Sequence, residues 1–446
     1  MAGDATRTLL ERFLSLFTEV RCGEAVSALL LALNIFLILT AYYVLKPVRE
    51  ALILAGGGAE IKSYAAAGQA LLLLAAVPFY GWLASRVSRR VLINGVTLFF
   101  AGCLLLFYGL AQLHVPLGVV FFLWVGIFNL MVPAQFWAFA NDLYTPEAGK
   151  RLFVIVAFGA SLGAVAGSYV DSLLIAPLGV YELMLVAAGI LALSLLLTNG
   201  VDRRERARRR EAAPSTAVAA EADEPLKGRG AFALVFRTRY LVLIALLMLV
   251  LNWVNTTGEY ILGRTVVAAA EQALASGGAG GLSKEQLIGA FYADFFTVVN
   301  IVGLLLQLFV VSRVLKYFGV GVAIMILPLI ALGGYLIAAF YPVLTMVRWA
   351  KTAENAADYS VQNTVRQVLF LPTTREQKYK AKQAIDTFFV RAGDVLSAAV
   401  VFVGTTWLSL STQGFALFNV ALVVAWLTIA FLIGRHYRQL TANESA

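Results

Sequence analysis

Twelve long apolar runs follow one another along the 446-residue chain, and this succession limits what the chain can fold into. A helix that crosses a bilayer needs about 20 mostly apolar residues, and every run meets that length. Charged residues make up only 14% of the chain, against roughly 25% in a soluble domain. The sequence therefore predicts an all-α membrane protein with twelve transmembrane helices. The predicted spans are residues 26–54, 61–85, 91–113, 117–140, 152–175, 179–199, 239–263, 286–312, 318–340, 343–371, 385–410 and 414–434.

The basic residues are distributed unevenly between the two sides of these spans. If the N-terminus lies inside, the outer loops carry only Lys62, Arg264 and Lys284 of the 35 Lys and Arg residues. Because cytoplasmic loops are enriched in Lys and Arg, we expect a multi-pass protein of the bacterial inner membrane with both termini cytoplasmic. The net charge of +9 is then explained by topology, and no nucleic-acid partner is predicted. We expect a monomer in the lipid bilayer.

One long polar segment divides the spans into two groups of six. Residues 200–238 are predicted to be a partly disordered cytoplasmic linker, because they combine mixed charge with a lack of apolar periodicity. The linker separates an N-terminal six-helix bundle (26–199) from a C-terminal one (239–434). An amphipathic or cytoplasmic segment (1–25) and a cytoplasmic tail (435–446) flank the bundles.

A loop motif and a weak repeat accompany this division. The segment GWLASRVSRR, after the second span, resembles a loop motif of the major facilitator superfamily, whose layout is two six-helix halves joined by a cytoplasmic linker. The matching residues are Gly81, Arg86, Arg89 and Arg90. At one constant offset, Lys150 and Gly163 in the first half are echoed by Lys380 and Gly393 in the second.

Three glycines lie four residues apart in the fifth span: Gly159, Gly163 and Gly167. Small residues at this spacing allow two membrane helices to approach closely. We therefore expect these glycines to pack helices rather than to bind a ligand.

The tenth span is the most polar of the twelve. Spacings of three and four residues place its polar side chains on one stripe of a helix. The stripe contains Arg348, Lys351, Asn355, Asp358, Gln362 and Arg366, with Glu354 at its edge. Charges at mid-membrane are costly, so the stripe is not expected to face lipid. It either lines a hydrated cavity or forms internal ion pairs, for example between Lys351 and Asp358.

Further charges lie within other spans. Lys46, Arg49 and Glu50 are in the first span, beside Pro47. Cations bind phosphate or carboxylate groups, and intramembrane acids can carry protons. The predicted substrate-binding residues are Lys46, Arg49, Arg348, Lys351, Asn355, Gln362, Arg366 and Arg391. The predicted charge partners or proton carriers are Glu50, Glu259, Asp294, Asp358 and Asp394.

Two cysteines and two histidines, scattered along the chain, are too few for a disulfide framework or a metal site. Neither a nucleophile–base pair nor a Walker-type phosphate loop is apparent. The sequence therefore predicts no enzyme activity, no metal and no cofactor.

Three segments resemble the nucleotide transporters of plastids and obligate intracellular bacteria, the ATP/ADP translocases. They are YYVLKPVREALIL from Tyr42, QFWAFANDLYTPEAGKRLFVIVAFGASLGAVAGS from Gln135 and YSVQNTVRQVLFLPTTREQKYKAKQAID from Tyr359. The resemblance implies a twelve-span major facilitator fold, alternating access and exchange of nucleotides. Arg49 and Arg366 stand where that family carries lysines. Asp394 also replaces a family lysine, and Asn255 replaces a glutamate, with Glu259 one turn later.

Two other interpretations are left open by the residues. One is a proton-coupled transporter of another organic anion. The other is a membrane scaffold or sensor that has the fold but moves no substrate.

Overall fold

The computed structural model describes residues 20, 24–84, 86–144, 146–211, 231–374, 377 and 381–445. Most of the predicted N-terminal segment and the middle of the predicted linker lie outside these residues. Within the described ranges the chain is helical and contains no β-strand.

Ten helices of the described chain are long and apolar enough to cross a membrane. The first of them, Ala25–Ala84, is two helices that meet at Gly58, where φ is 71°. This left-handed backbone conformation is one that glycine adopts without steric cost. We name the two parts α1 (residues 25–57) and α2 (residues 59–84).

The other membrane-length helices follow in chain order. They are α3 (Arg89–Gln112), α4 (Gly118–Leu143), α5 (Pro146–Leu178), α6 (Glu182–Glu211), α7 (Arg239–Ala275), α8 (Lys284–Phe309) and α9 (Gly319–Phe340). The next element, α10, consists of an α-helix Leu344–Ala357, a π-helical turn Asp358–Gln362 and an α-helix Asn363–Val368. After it come α11 (Lys382–Thr406, with a π-helical turn at Ile385–Phe389) and α12 (Thr412–Ser445).

The helix α10 does not count among the ten apolar helices because it carries too many charges. When α10 is added and α1 and α2 are counted separately, the described helices account for the twelve predicted spans. The predicted all-α membrane fold is confirmed.

Several helices run beyond their predicted ends. The helix α6 continues to Glu211, α7 to Ala275 and α12 to Ser445, and a short helix, Ala231–Arg237, precedes α7. Arg, Glu, Leu and Ala are good helix formers, so a helix can continue after it leaves the hydrocarbon layer. Both described ends of the predicted linker are therefore helical.

Contacts divide the chain into two compact units. The first unit contains the described parts of Met1–Leu52, Leu73–Glu221 and Tyr292–Thr297. In it α3 packs along α6, and α5 packs along α1. A Cβ atom built at Gly159, Gly163 or Gly167 would overlap the backbone carbonyl of Ala32, Phe36 or Thr40, respectively. The three glycines thus pack α5 directly against the α1 backbone.

The second unit contains the described parts of Ile53–Leu72, Ala222–Phe291 and Val298–Ala446. Its helix α7 packs against α10, α11 and α12, and α9 packs against α10 and α12. The first turns of α2 also belong to this unit. The helix α7 therefore positions side chains toward three neighbouring helices.

Candidate functional site

The centre of the second unit contains a buried lysine with three polar neighbours. Lys351 of α10 lies 2.9 Å from Oε1 of Glu354, one turn later on the same helix. Its ammonium also donates to the Asn255 side-chain oxygen of α7 at 3.0 Å, and lies 3.7 Å from Oε1 of Glu259. A lysine this deep is expected to need compensating partners, and here two acids and an amide supply them.

A tyrosine hydroxyl and a backbone carbonyl lie on the Glu354 side of this group. The Tyr335 hydroxyl of α9 lies 3.1 Å from Glu354 Oε1 and 3.2 Å from the Val254 carbonyl oxygen. A Cβ atom at Gly258 would overlap the Tyr335 hydroxyl and lie 3.0 Å from the Lys351 ammonium. Gly258 therefore allows α7, α9 and α10 to meet at this point.

Glu259 connects the lysine to its surroundings. Its Oε1 accepts a hydrogen bond from the Asn355 amide of α10 at 3.2 Å, and its Oε2 lies 3.6 Å from the Lys62 ammonium of α2. Its side chain is 22% exposed, whereas that of Glu354 is 6% exposed. Of the two acids beside Lys351, Glu259 is thus the more accessible and the more distant.

Lys62 differs from its predicted environment. The sequence placed it with the outer loops, but the residue lies in the first turns of α2 and is buried. Nearby, the Tyr260 hydroxyl donates to Glu60 Oε1 at 2.9 Å, which adds a second contact between α2 and α7. We call the group formed by Lys62, Asn255, Glu259, Tyr335, Lys351, Glu354 and Asn355 the α7–α10 network.

The predicted cations of α1 lie in the first unit, among aromatic rings. The Arg49 guanidinium lies 2.5 Å from Glu50 Oε1 and 4.8 Å from the centre of the Phe122 ring. The Lys46 ammonium lies 3.8 Å from the centre of the Phe296 ring. Cations in such positions are stabilised by the negative face of the ring.

Arg348 and Arg391 lie outside the α7–α10 network. The guanidinium of Arg348 is 5.5 Å from the centre of the Phe291 ring. Arg391 lies 3.1 Å from Asp394 Oδ2, while Asp394 Oδ1 accepts from Asn252 and Thr256 of α7, each at 2.8 Å. These contacts join α11 to α7, so Asp394 has a structural explanation.

The remaining predicted residues lie on α8 and α10. Arg366 lies 3.7 Å from Asp386. Gln362 is buried, and neither atom of its amide has a hydrogen-bond partner in the described chain. Asp358 is half-buried at the start of the π-helical turn, whereas Asp294 is exposed.

The network joins only part of the predicted set: Lys351, Asn355 and Glu259. Lys351 pairs with Glu354 rather than with Asp358, because residues three apart on a helix are neighbours. Sequence reasoning did not select Tyr335 or Lys62 for the site. An isolated tyrosine hydroxyl in an apolar helix and a lysine just after a glycine-rich turn are weak signals. Within the described residues, no group of three His, Cys, Asp or Glu side chains is arranged to hold a metal ion.

Residues 26–353 match the family model of the Major Facilitator Superfamily. The chain belongs to this superfamily. A search of curated proteins gives no match. The translocase resemblance therefore stays a prediction.

Solved transporters share the fold at low sequence identity. The nucleoside transporter NupG superposes with a TM-score of 0.63 at 13% identity, covering 90% of this chain and 98% of NupG. The peptide transporter POT, crystallised with sulfate, gives 0.63 at 11% identity, covering 97% and 99%. A bacterial homologue of the human lysosomal transporter Spinster gives 0.54 at 16%, covering 92% and 98%.

These relatives and the apolar helices define a multi-pass membrane protein with the fold of secondary transporters. Family and fold indicate transport of a small molecule rather than catalysis. At these identities the likeness establishes the fold alone.

Proposed function

We propose that this protein exchanges a nucleotide, or a related phosphorylated anion, across the bacterial inner membrane by alternating access. The observation that carries the proposal is the position of Lys351, a buried cation in the most polar span whose second acid, Glu259, is partly exposed. The motif resemblance supplies the substrate class. The uneven charge of the connecting segments supports cytoplasmic termini.

The geometry suggests how an anion would enter the network. Glu354 stays with Lys351 because it is buried and 2.9 Å away. Glu259 is more exposed, lies 3.7 Å from the same ammonium and is also near Lys62. A phosphate oxygen would replace Glu259 at Lys351, and the displaced carboxylate would keep its contact with Lys62. The amides of Asn355 and Asn255 would remain as donors to the substrate.

The first test is uptake of labelled ATP into proteoliposomes, with and without nucleotide inside. We expect rapid uptake only when internal nucleotide is present, and strong loss of uptake in Lys351→Met. Lys284→Met is the matched control, because Lys284 pairs with Glu271 at an exposed site away from the network. Uptake of no nucleotide by the wild-type protein would refute the proposed substrate class.

A second variant tests the displacement of Glu259. Replacing Glu259 with Gln removes the charge that competes with the substrate for Lys351. A partly exposed ion pair is worth about 1 kcal/mol, so we expect the KM for nucleotide to fall about fivefold. An increased KM would show that Glu259 helps to bind the substrate instead.

One observation favours a second candidate, a proton-coupled transporter of another organic anion. Arg49, Lys351 and Arg366 each have an acid beside them, namely Glu50, Glu354 and Asp386. Protonation of such an acid would release its cation for an anionic substrate. Proton binding would then be coupled to substrate binding. Uptake driven by an acidic exterior, without internal nucleotide, would distinguish this candidate from exchange. Absence of flux for every anion tested would favour the scaffold or sensor.

A further inference from the structure

Asp171 of α5 is a buried acid that the α7–α10 network does not explain. Its exposed fraction is 0%, and neither carboxyl oxygen has a hydrogen-bond partner in the described chain. The other acids buried in the described chain each have a basic partner: Glu50 with Arg49, Asp202 with Arg90, Glu354 with Lys351 and Asp394 with Arg391. An ionised carboxylate without a partner inside a membrane helix is strongly unfavourable. The surroundings of Asp171 therefore favour its neutral form.

Asp171 lies one turn beyond the three glycines that pack α5 against α1. The glycines of α5 meet α1 in a parallel register, in which Gly159 faces Ala32, Gly163 faces Phe36 and Gly167 faces Thr40 and Tyr43. Asp171 is the next residue at the same spacing. One further turn places it opposite residues 44–47 of α1, the segment that ends at Pro47.

Pro47 makes a neutral acid suitable at this place. Proline has no backbone N–H, so it cannot donate to the Tyr43 carbonyl one turn earlier. A protonated carboxyl group offers an O–H donor, whereas a carboxylate can only accept. The Tyr43 carbonyl therefore lacks the backbone donor that it would have in an unbroken helix, and a neutral Asp171 has a donor to offer where a carboxylate has none.

The repeat shows that packing alone does not require an acid here. The offset that relates Gly163 to Gly393 relates Asp171 to Val401, which is fully buried in α11. The same position of the other half is therefore filled by an aliphatic side chain. Helix packing at this repeat position therefore does not explain the carboxyl group of Asp171.

We propose that Asp171 is a proton-binding site that couples proton movement to transport. In this conformation the carboxyl group holds its proton between α5 and α1. Movement of α1 at Pro47, which lies between the predicted substrate ligands Lys46 and Arg49, admits water between the two helices. The O–H bond then breaks, the proton passes to water and the carboxylate remains on Asp171. This inference rests on the proposed transport function but not on the identity of the substrate.

The helices near Asp171 carry other ionisable groups. On α1 they are Tyr42, Tyr43, Lys46, Arg49 and Glu50, of which Lys46 lies on the Phe296 ring and Arg49 beside Glu50. Around the start of α6 they are Tyr181 and Glu182, and Asp294 of α8 is exposed. None of these residues forms an ion pair or hydrogen bond with Asp171.

The first experiment is infrared spectroscopy of the full-length protein in proteoliposomes. At neutral pH we expect the wild-type spectrum minus that of Asp171→Asn to show the C=O band of a protonated carboxylic acid, which shifts in heavy water. Asp171→Val is the packing control suggested by Val401, and should give the same difference band and a wild-type melting temperature. If no such band appears for either variant, the proton site is refuted.

The second experiment measures uptake of labelled ATP into proteoliposomes that contain nucleotide, with and without an acidic exterior. We expect the gradient to accelerate uptake by the wild-type protein and not by Asp171→Asn, while exchange without a gradient persists. An unchanged response to the gradient in Asp171→Asn would overturn the coupling role. If the wild type moves no nucleotide but the infrared band is present, the proposed substrate fails and the proton site stands.

Discussion

Two helix pairs, α1–α5 and α7–α11, pack at equivalent positions of the repeat, and we call each line of contact a seam. Both seams contain a glycine at the same repeat position, and they differ one turn later. In the first unit, Gly163 of α5 lies against the backbone of Phe36 in α1. In the second unit, Gly393 of α11 lies against the backbone of Leu249 and Trp253 in α7. The next position in α5 is Gly167, again packed on backbone, but in α11 it is Ser397, whose hydroxyl lies 2.9 Å from that of Thr257.

The difference shows two ways to join helices in a bilayer. Lipid tails are as apolar as the helix surfaces, so association depends on close backbone packing or on polar contacts. The α1–α5 seam relies on packing. The α7–α11 seam adds hydroxyl and carboxylate contacts, and the other faces of α7 carry Asn255 and Glu259 of the network. The unit with the polar seam thus also contains the network.

The largest loss of stability is expected when the buried ion pair of the second unit is broken. Glu354→Gln keeps the shape of the side chain but leaves Lys351 without its nearest carboxylate. Breaking a buried ion pair costs about 3–5 kcal/mol, so the free energy of unfolding in micelles should fall by about that amount. The control is Glu271→Gln at the exposed pair with Lys284, where we expect less than about 1 kcal/mol. Equal effects would mean that Lys351 does not depend on Glu354.

A smaller loss is expected at the packed seam of the first unit. Gly163→Ala adds one Cβ atom that would overlap the Phe36 carbonyl. Overpacking of this kind costs about 1–3 kcal/mol, to be measured as the change in unfolding free energy. Gly189→Ala in α6 is the control, because a Cβ atom there has nothing within 4 Å. If both variants melt alike, α5 and α1 are not in direct contact.

The sequence was informative where one helix suffices to make a prediction. Apolar length predicted the spans, and four-residue spacing predicted the role of Gly163. The partners of Lys351 were less predictable because Asn255, Glu259 and Tyr335 come from other helices. The stripe of α10 assumed a regular helix, whereas the π-helical turn at Asp358 adds a residue to the turn and shifts the positions that follow. Whether an acid such as Asp171 has a partner depends on three-dimensional packing alone.

The smallest effect is expected at the hydroxyl pair of the polar seam. Thr257→Val removes one hydroxyl and keeps the branched shape, and interhelical hydrogen bonds in membranes are worth about 0.6 kcal/mol on average. We expect an unfolding free energy lower by about that amount. The control, Thr428→Val in α12, removes a hydroxyl that bonds only to the Val424 carbonyl of its own helix. A loss above about 2 kcal/mol would exceed the largest such contact measured in membrane helices. The hydroxyl pair, rather than Gly393, would then determine how closely α7 and α11 approach. The α7–α11 seam would in that case not depend on glycine packing as the α1–α5 seam does.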